Sequence, residues 1–153
     1  MKLVWSGGQE VARCKLGRLE SADAARAPLA VRPGGPAAAA HLLGCLELAL
    51  CDPSELDQLD EEYSPAAGHY IITSSRLAPA RAQELHAAAR YKLAALCTEE
   101  LDRLPSRRAE DVEQLAAPPG NSDAGTVERR ALALRFRARL KAMLEETLAM
   151  CQA

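Results

Sequence analysis

His41 and Cys45 stand four residues apart in PAAAAHLLGCLELALC, residues 36–51. On a helix that spacing sets two metal ligands, or a thiol and its general base, one turn above the other. A metal centre needs at least one further donor, and Cys51, His69 and His86 follow at no matching interval. The pair therefore reads first as core or boundary residues. The acid pairs Glu61–Glu62 and Glu99–Glu100 could be drawn as acid–base catalysts, but they lie on mostly polar stretches and read as exposed helix surface. The glycine pairs at 7–8 and 34–35 lack the flanking strand and helix of a phosphate cradle and read as turns. No GxSxG, P-loop, GxGxxG or HExxH is present. The expectation is a chain with no catalytic, cofactor-binding or metal residues of its own.

Charge offers more. The net charge is −2, which gives no global pull toward nucleic acid or an anionic membrane. Its distribution is uneven: DPSELDQLDEE (52–62) carries six acids and no base, and RRALALRFRARLK (129–141) six bases and no acid. Two readings stand. Either these are solvated helix faces paired with each other inside the fold, or the basic helix docks an acidic partner, protein or nucleic acid. Under the second, Arg135, Arg137, Arg139 and Lys141 are the partner-binding residues. Phe136 is read as facing inward, which leaves no stacking platform for single-stranded nucleic acid and makes that partner the less expected one.

These groups must be positioned by elements built from Leu and Ala. Apolar residues make up 48% of the 153 but aromatics only 3%, a composition suited to close-packed helices. Five cysteines, at 14, 45, 51, 97 and 151, show no CxxC, as expected for reduced thiols acting as small core residues. No apolar run approaches the ~18 residues of a membrane span, and no secretory signal pattern opens the chain. An intracellular protein, cytoplasmic or plastid, is expected; Glu10, Glu20 and Asp23 speak against a transit peptide.

Residues 1–35 form a poorly specified N-terminal segment or linker. KLVW is a candidate strand, GG at 7–8 its turn, and ARAPLAVRPGGP (25–36) a boundary. The helical domain spans 36–153. Its first helix, 36–51, puts Leu42, Leu46, Ala49 and Leu50 on one face. Asp52 caps a short second helix, PSELDQLDEEY, with Leu56 and Leu59 inward. SPAAGHYIITSSRLAP (64–79) reads as an extended connector, not a sheet. Pro79 opens the longest helix, to about Leu104, with a stripe of Leu85, Ala89, Leu93, Leu96, Cys97, Leu101 and Leu104. After Pro105, Ser106 caps a helix over 107–117 with Val112 and Leu115 inward. PPGNSDAG (118–125) is a loop. A last helix, about 126–151, lines Leu132, Phe136, Leu140, Leu144 and Leu148 along one edge. The fold class is all-α: about five helices in an irregular antiparallel bundle, preceded by an extended, partly ordered segment.

LDRLPSRRAEDVEQL (101–115) resembles the corner motif of the C-terminal helical domain of SET-domain protein-lysine methyltransferases of the Rubisco large-subunit methyltransferase type. Leu101, Ser106, Glu110, Asp111 and Leu115 match; Leu104 takes the tyrosine place, and Ala109 stands where the first acid would be, which weakens a reciprocal capping box. ALRFRARLKAML (133–144) resembles the family's last helix through Arg137, Lys141 and Leu144, with Arg139 at the usual glycine. LELALCDPSELDQL and GGPAAAAHLLGCLELAL are similar to its early helices, so the likeness covers about residues 28–148.

The resemblance implies a helical substrate-binding domain beside a SET module that binds S-adenosylmethionine and methylates lysine. The SET cofactor site uses an Asn-His pair, whereas Asn121, the only asparagine, is followed by Ser122. Tyr63, Tyr70 and Tyr91 sit in no SET-like context. The expectation is thus a domain that recognises a partner protein and lacks the catalytic core, with S-adenosylmethionine entering only through a SET module supplied elsewhere. The alternatives are a reduced methyltransferase, or a helical adaptor binding nucleic acid through its last helix.

Overall fold

The computed structural model describes residues 17, 35–65, 69–117 and 124–153. The readings placed on residues 1–34 (the KLVW strand, the glycine turn, most of the 25–36 boundary, Cys14) and on 118–123 of the loop lie outside them. Within the described residues the architecture is all-α with one small sheet: α1 (Gly35–Leu50), a 3-10 helix (Pro53–Gln58), β1 (Asp60–Ser64), β2 (His69–Thr73), α2 (Pro79–Arg103), α3 (Arg108–Ala116) and α4 (Ala124–Gln152). No helix among the described residues is long and apolar enough to cross a membrane.

α1 is the axis of the molecule. From Ala39 to Ala49 its one charged residue is Glu47, so the helix buries every side rather than the single expected face. Leu43, Cys45 and Leu48 are buried along with Leu42, Leu46 and Ala49. One side builds a cluster with Leu59, Ile72, Leu77 and Leu85; the other packs on Ala89, Leu93, Cys97 and Leu144. Each buried leucine contributes roughly 1.5–3 kcal/mol.

The connector is where structure and sequence reading part. The expected helix over 53–63 stops at Gln58, and Asp60–Ser64 pairs antiparallel with His69–Thr73 in the register Asp60↔Thr73, Glu61↔Ile72, Tyr63↔Tyr70. DEEYS has little strand propensity of its own. It is drawn into a sheet because Leu59 at one strand's start and Ile72 in the other both dock in the core beneath α1. The approach is close: Gly44 lies so near the backbone of Ile72 that a Cβ there would overlap the Ile72 carbonyl oxygen.

α2 follows the predicted stripe. Leu85, Ala89, Leu93 and Cys97, at four-residue steps, are buried, and Leu96, Leu101 and Leu104 are half-buried. The last turn closes with the Leu104 N–H donating to the Leu101 carbonyl at 3.1 Å, and Pro105 prevents continuation. α4, at 29 residues, is longer than the 25 of α2, a reversal of the expected order, since Ala124 and Gly125 already belong to it.

The two charge runs do not pair with each other. The acidic one is tied to the start of α2: Arg81 forks onto Glu55 at 2.6 and 3.0 Å and reaches Asp52 at 3.3 Å, while Arg76 meets Asp60 at 2.6 Å. The Asp52 N–H donates to Glu55 Oε2 at 2.8 Å, closing the 3-10 turn from its third position.

Candidate partner-binding surface

Helix α4 carries all four residues assigned to partner binding, and the structure divides them. Lys141 is only 1% exposed. Its Nζ donates to Asp111 Oδ2 at 2.5 Å and to Ser106 Oγ at 2.8 Å, and Ser106 Oγ in turn donates to Asp111 Oδ1 at 2.7 Å. Arg137, half-buried, adds an Nη2 contact to Asp111 Oδ1 at 3.2 Å. Lys141 is thereby withdrawn from the surface, which corrects its assignment; Arg137 turns one guanidinium nitrogen to Asp111 and stays partly exposed. A buried lysine needs a paired, hydrogen-bonded carboxylate to stay charged, and Asp111 supplies it from the neighbouring helix. Arg135 and Arg139 remain exposed and, among the described residues, form no salt bridge.

The corner is rearranged accordingly. Asp111 is fully buried, while Val112, expected inward, is exposed; Leu115 is half-buried. Ser106 does not cap α3. Arg107 occupies the cap position, its N–H donating to Glu110 Oε2 at 3.1 Å. The frame moves on by one residue, so the return half of the capping box is present despite Ala109.

Hydrogen bonds from Lys141 and then Ser106, with the nearby charges of Lys141 and Arg137, hold the Asp111 carboxyl below its ordinary value against the opposing effect of burial. A depressed carboxylate stabilises the fold above its unfolded pKa of about 4, and this is lost as pH falls through the lower folded value. In urea melts, the stability advantage of wild type over Asp111→Asn is therefore expected to be full above about pH 5 and to shrink below about pH 4. A gap that stays constant across the acid limb would show that Asp111 carries no charge in the fold.

Phe136 and Leu132 are the second correction. Expected along the inner edge of the last helix, they are 69% and 67% exposed. The buried residues of this helix are Leu134, Lys141, Leu144 and Thr147. At 100° per residue Leu132 and Phe136 fall on the side opposite Leu134 and Lys141, together with Arg129 and Arg139. The outer face of α4 is thus an apolar pair bracketed by arginines. Leu140 and Leu148 are half-buried against the core.

Cys45 Sγ lies 4.0 Å from His41 Nε2, but burial pushes the Cys45 thiol up to about 12, and a neutral thiol is a poor ligand and a poor nucleophile. No group of three or more His, Cys, Asp or Glu among the described residues could hold a metal ion. Cys45, Cys51, Cys97 and Cys151 are thiols outside any disulfide. Burial pushes Cys97 to about 11 and also raises half-exposed Cys151. Of these four, Cys151 is expected to react first with a thiol reagent at pH 8, and Cys45 and Cys97 only on unfolding; equal rates in the native protein would contradict this packing.

Sequence reasoning missed Glu47 and His86, which lie 39 residues apart and meet with His86 Nδ1 at 2.7 Å from Glu47 Oε1. A signal was available: Glu47 is the single carboxylate in the apolar run 36–51. It also missed Arg90, whose Nη2 donates to the carbonyls of Met150 and Cys151 at 2.9 and 3.0 Å and closes the C-terminus of α4. No family model, curated protein or solved structure matches the chain.

Proposed function

We propose that the chain is a helical protein-binding domain, akin to the substrate-binding domain of SET-type protein-lysine methyltransferases, that recognises an acidic, partly apolar segment of a partner protein and makes or breaks no bond itself. The observation that carries this reading is the outer face of α4, where Leu132 and Phe136 stand exposed between Arg129, Arg135 and Arg139. An exposed aromatic flanked by arginines has the composition of an interface anchor. Behind it, the Asp111 clamp fixes α4 against α3, so the face is presented on a rigid element. The relation to the methyltransferase domain is supported by the way two pieces of the resemblance meet: Ser106 and Asp111 of the corner bond Lys141 of the last helix, with Arg137 alongside. A SET module, and with it S-adenosylmethionine, would come from the partner.

Anisotropy titration with a labelled peptide alternating Glu and Leu tests the reading. Binding is expected to weaken by about tenfold or more in Phe136→Ala and to fall further in the double variant Arg135→Glu, Arg139→Glu. Unchanged binding in both would overturn it, as would saturable micromolar heat on adding S-adenosylmethionine, which would revive the reduced-enzyme alternative.

The exposure of Phe136 also favours a second reading. An aromatic between arginines is a stacking platform for a single-stranded nucleic acid. That reading predicts affinity for an oligonucleotide falling steeply with salt, and a flat salt response ends it.

A further inference from the structure

Away from the α4 face, a groove of about 720 Å³ runs between α1, β2 and the start of α2, reaching Met150 near the end of α4. That volume lies in the range of small-ligand sites. Its walls are Leu43, Ile71, Leu77, Ala82 and Met150, and at Gly44 the wall is bare backbone. Among the lining residues Glu47 is the single acid, 5% exposed. Its partner is His86, an imidazole half exposed at the rim. Arg90, the one arginine in the lining, is fixed on the α4 carbonyls.

We propose that this groove binds a small aliphatic ammonium ligand, its carbon chain along the apolar walls and its charged head on Glu47, displacing His86. A carboxylate held in an apolar wall selects a cation for two reasons. A charge-assisted hydrogen bond in a partly desolvated site is stronger than one in water. An uncharged ligand of the same shape leaves the acid desolvated without compensation. The half-exposed imidazole can swing into solvent at little cost, whereas Arg90 cannot leave without uncapping α4. The site is independent of the α4 face, and neither proposal depends on the other.

The test uses the full chain and n-hexylamine as probe, with n-hexanol as its uncharged counterpart. Calorimetry is expected to show one-to-one binding of the amine, with hexanol weaker by about tenfold or more. Amide shifts on adding the amine are expected to centre on Gly44, Glu47 and Ile72. Glu47→Gln is expected to lose the preference for amine over alcohol, and His86→Ala to bind the amine as well as wild type or better. Equal binding of amine and alcohol by wild type would overturn the proposal, even if Glu47→Gln failed to fold. So would loss of amine binding in His86→Ala, or the absence of any heat up to about 10 mM. A lysine-containing tripeptide that bound where hexylamine did not would reassign the groove to peptides and equally overturn the small-ligand assignment.

Discussion

Asp111→Ala is expected to lower the melting temperature by on the order of 10 °C. The substitution removes the carboxylate that Lys141 Nζ and Arg137 Nη2 both face and that accepts the Ser106 hydroxyl. Lys141 is then a buried ammonium with a hydroxyl as its remaining partner, and breaking one side of a buried pair does far more harm than deleting both sides. The double variant Asp111→Ala, Lys141→Met is accordingly expected to recover most of the loss, since methionine fills a similar volume without a charge. Thermal melts of the two singles and the double complete the cycle. Strictly additive effects would mean the two side chains do not interact. The effect is also expected to be local. α3 is only nine residues long, too short to persist without tertiary support, so hydrogen exchange should accelerate across Arg108–Ala116 before it does in α2.

The second large effect is expected at Gly44. Alanine is the better helix former by about 1 kcal/mol, so on propensity alone Gly44→Ala should stabilise α1. A Cβ at that position, however, meets the backbone carbonyl of Ile72, together with the Ile72 nitrogen and carbonyl carbon. Backbone cannot rotate out of the way as a side chain does, so β2 must move off α1, opening the cluster around Cys45, Leu48 and Leu59. Overpacking of this kind typically costs 1–3 kcal/mol, so a net loss of about 2 kcal/mol is expected in urea unfolding. Gly44→Val should lose more. A stabilised Gly44→Ala protein would show that the close approach of α1 and β2 is wrong.

Both residues show how a sequence can carry a signal without its meaning. Asp111, Arg137 and Lys141 stand out along the chain, but as a first-turn acid and a basic run. The spacing from Arg137 to Lys141 puts them on one side of a helix, and only the packing of α3 on α4 shows that this side faces Asp111 and not solvent. An aromatic four residues from Leu132 and Leu140 completes an apolar edge, so periodicity alone puts Phe136 inside. That edge holds only in the second half of α4, where Leu144 is buried and Leu140 and Leu148 pack against the core; residues four apart advance about 40° around a helix, so Leu132 and Phe136 fall outside while Leu134 is buried. The sheet escapes a local reading for a related reason: Tyr63 is the one strand-forming residue in DEEYS, and the pairing arises from the docking of Leu59 and Ile72, an interaction not local to either segment.

Local physics was enough for the rest. Leu and Ala at three- and four-residue steps, with Pro79 opening and Pro105 closing, determine α2 to within a residue, because helix periodicity and its punctuation are properties of neighbouring side chains. The apolar run of α1 and the all-helical class follow in the same way. Which side of each helix is inner, which charges are clamped and which are offered outward, and where a lone carboxylate meets a groove were decided by tertiary structure. Those outcomes depend on pairs such as Asp111 with Lys141 and Glu47 with His86, separated by 30 and 39 residues, whose meeting no local pattern encodes.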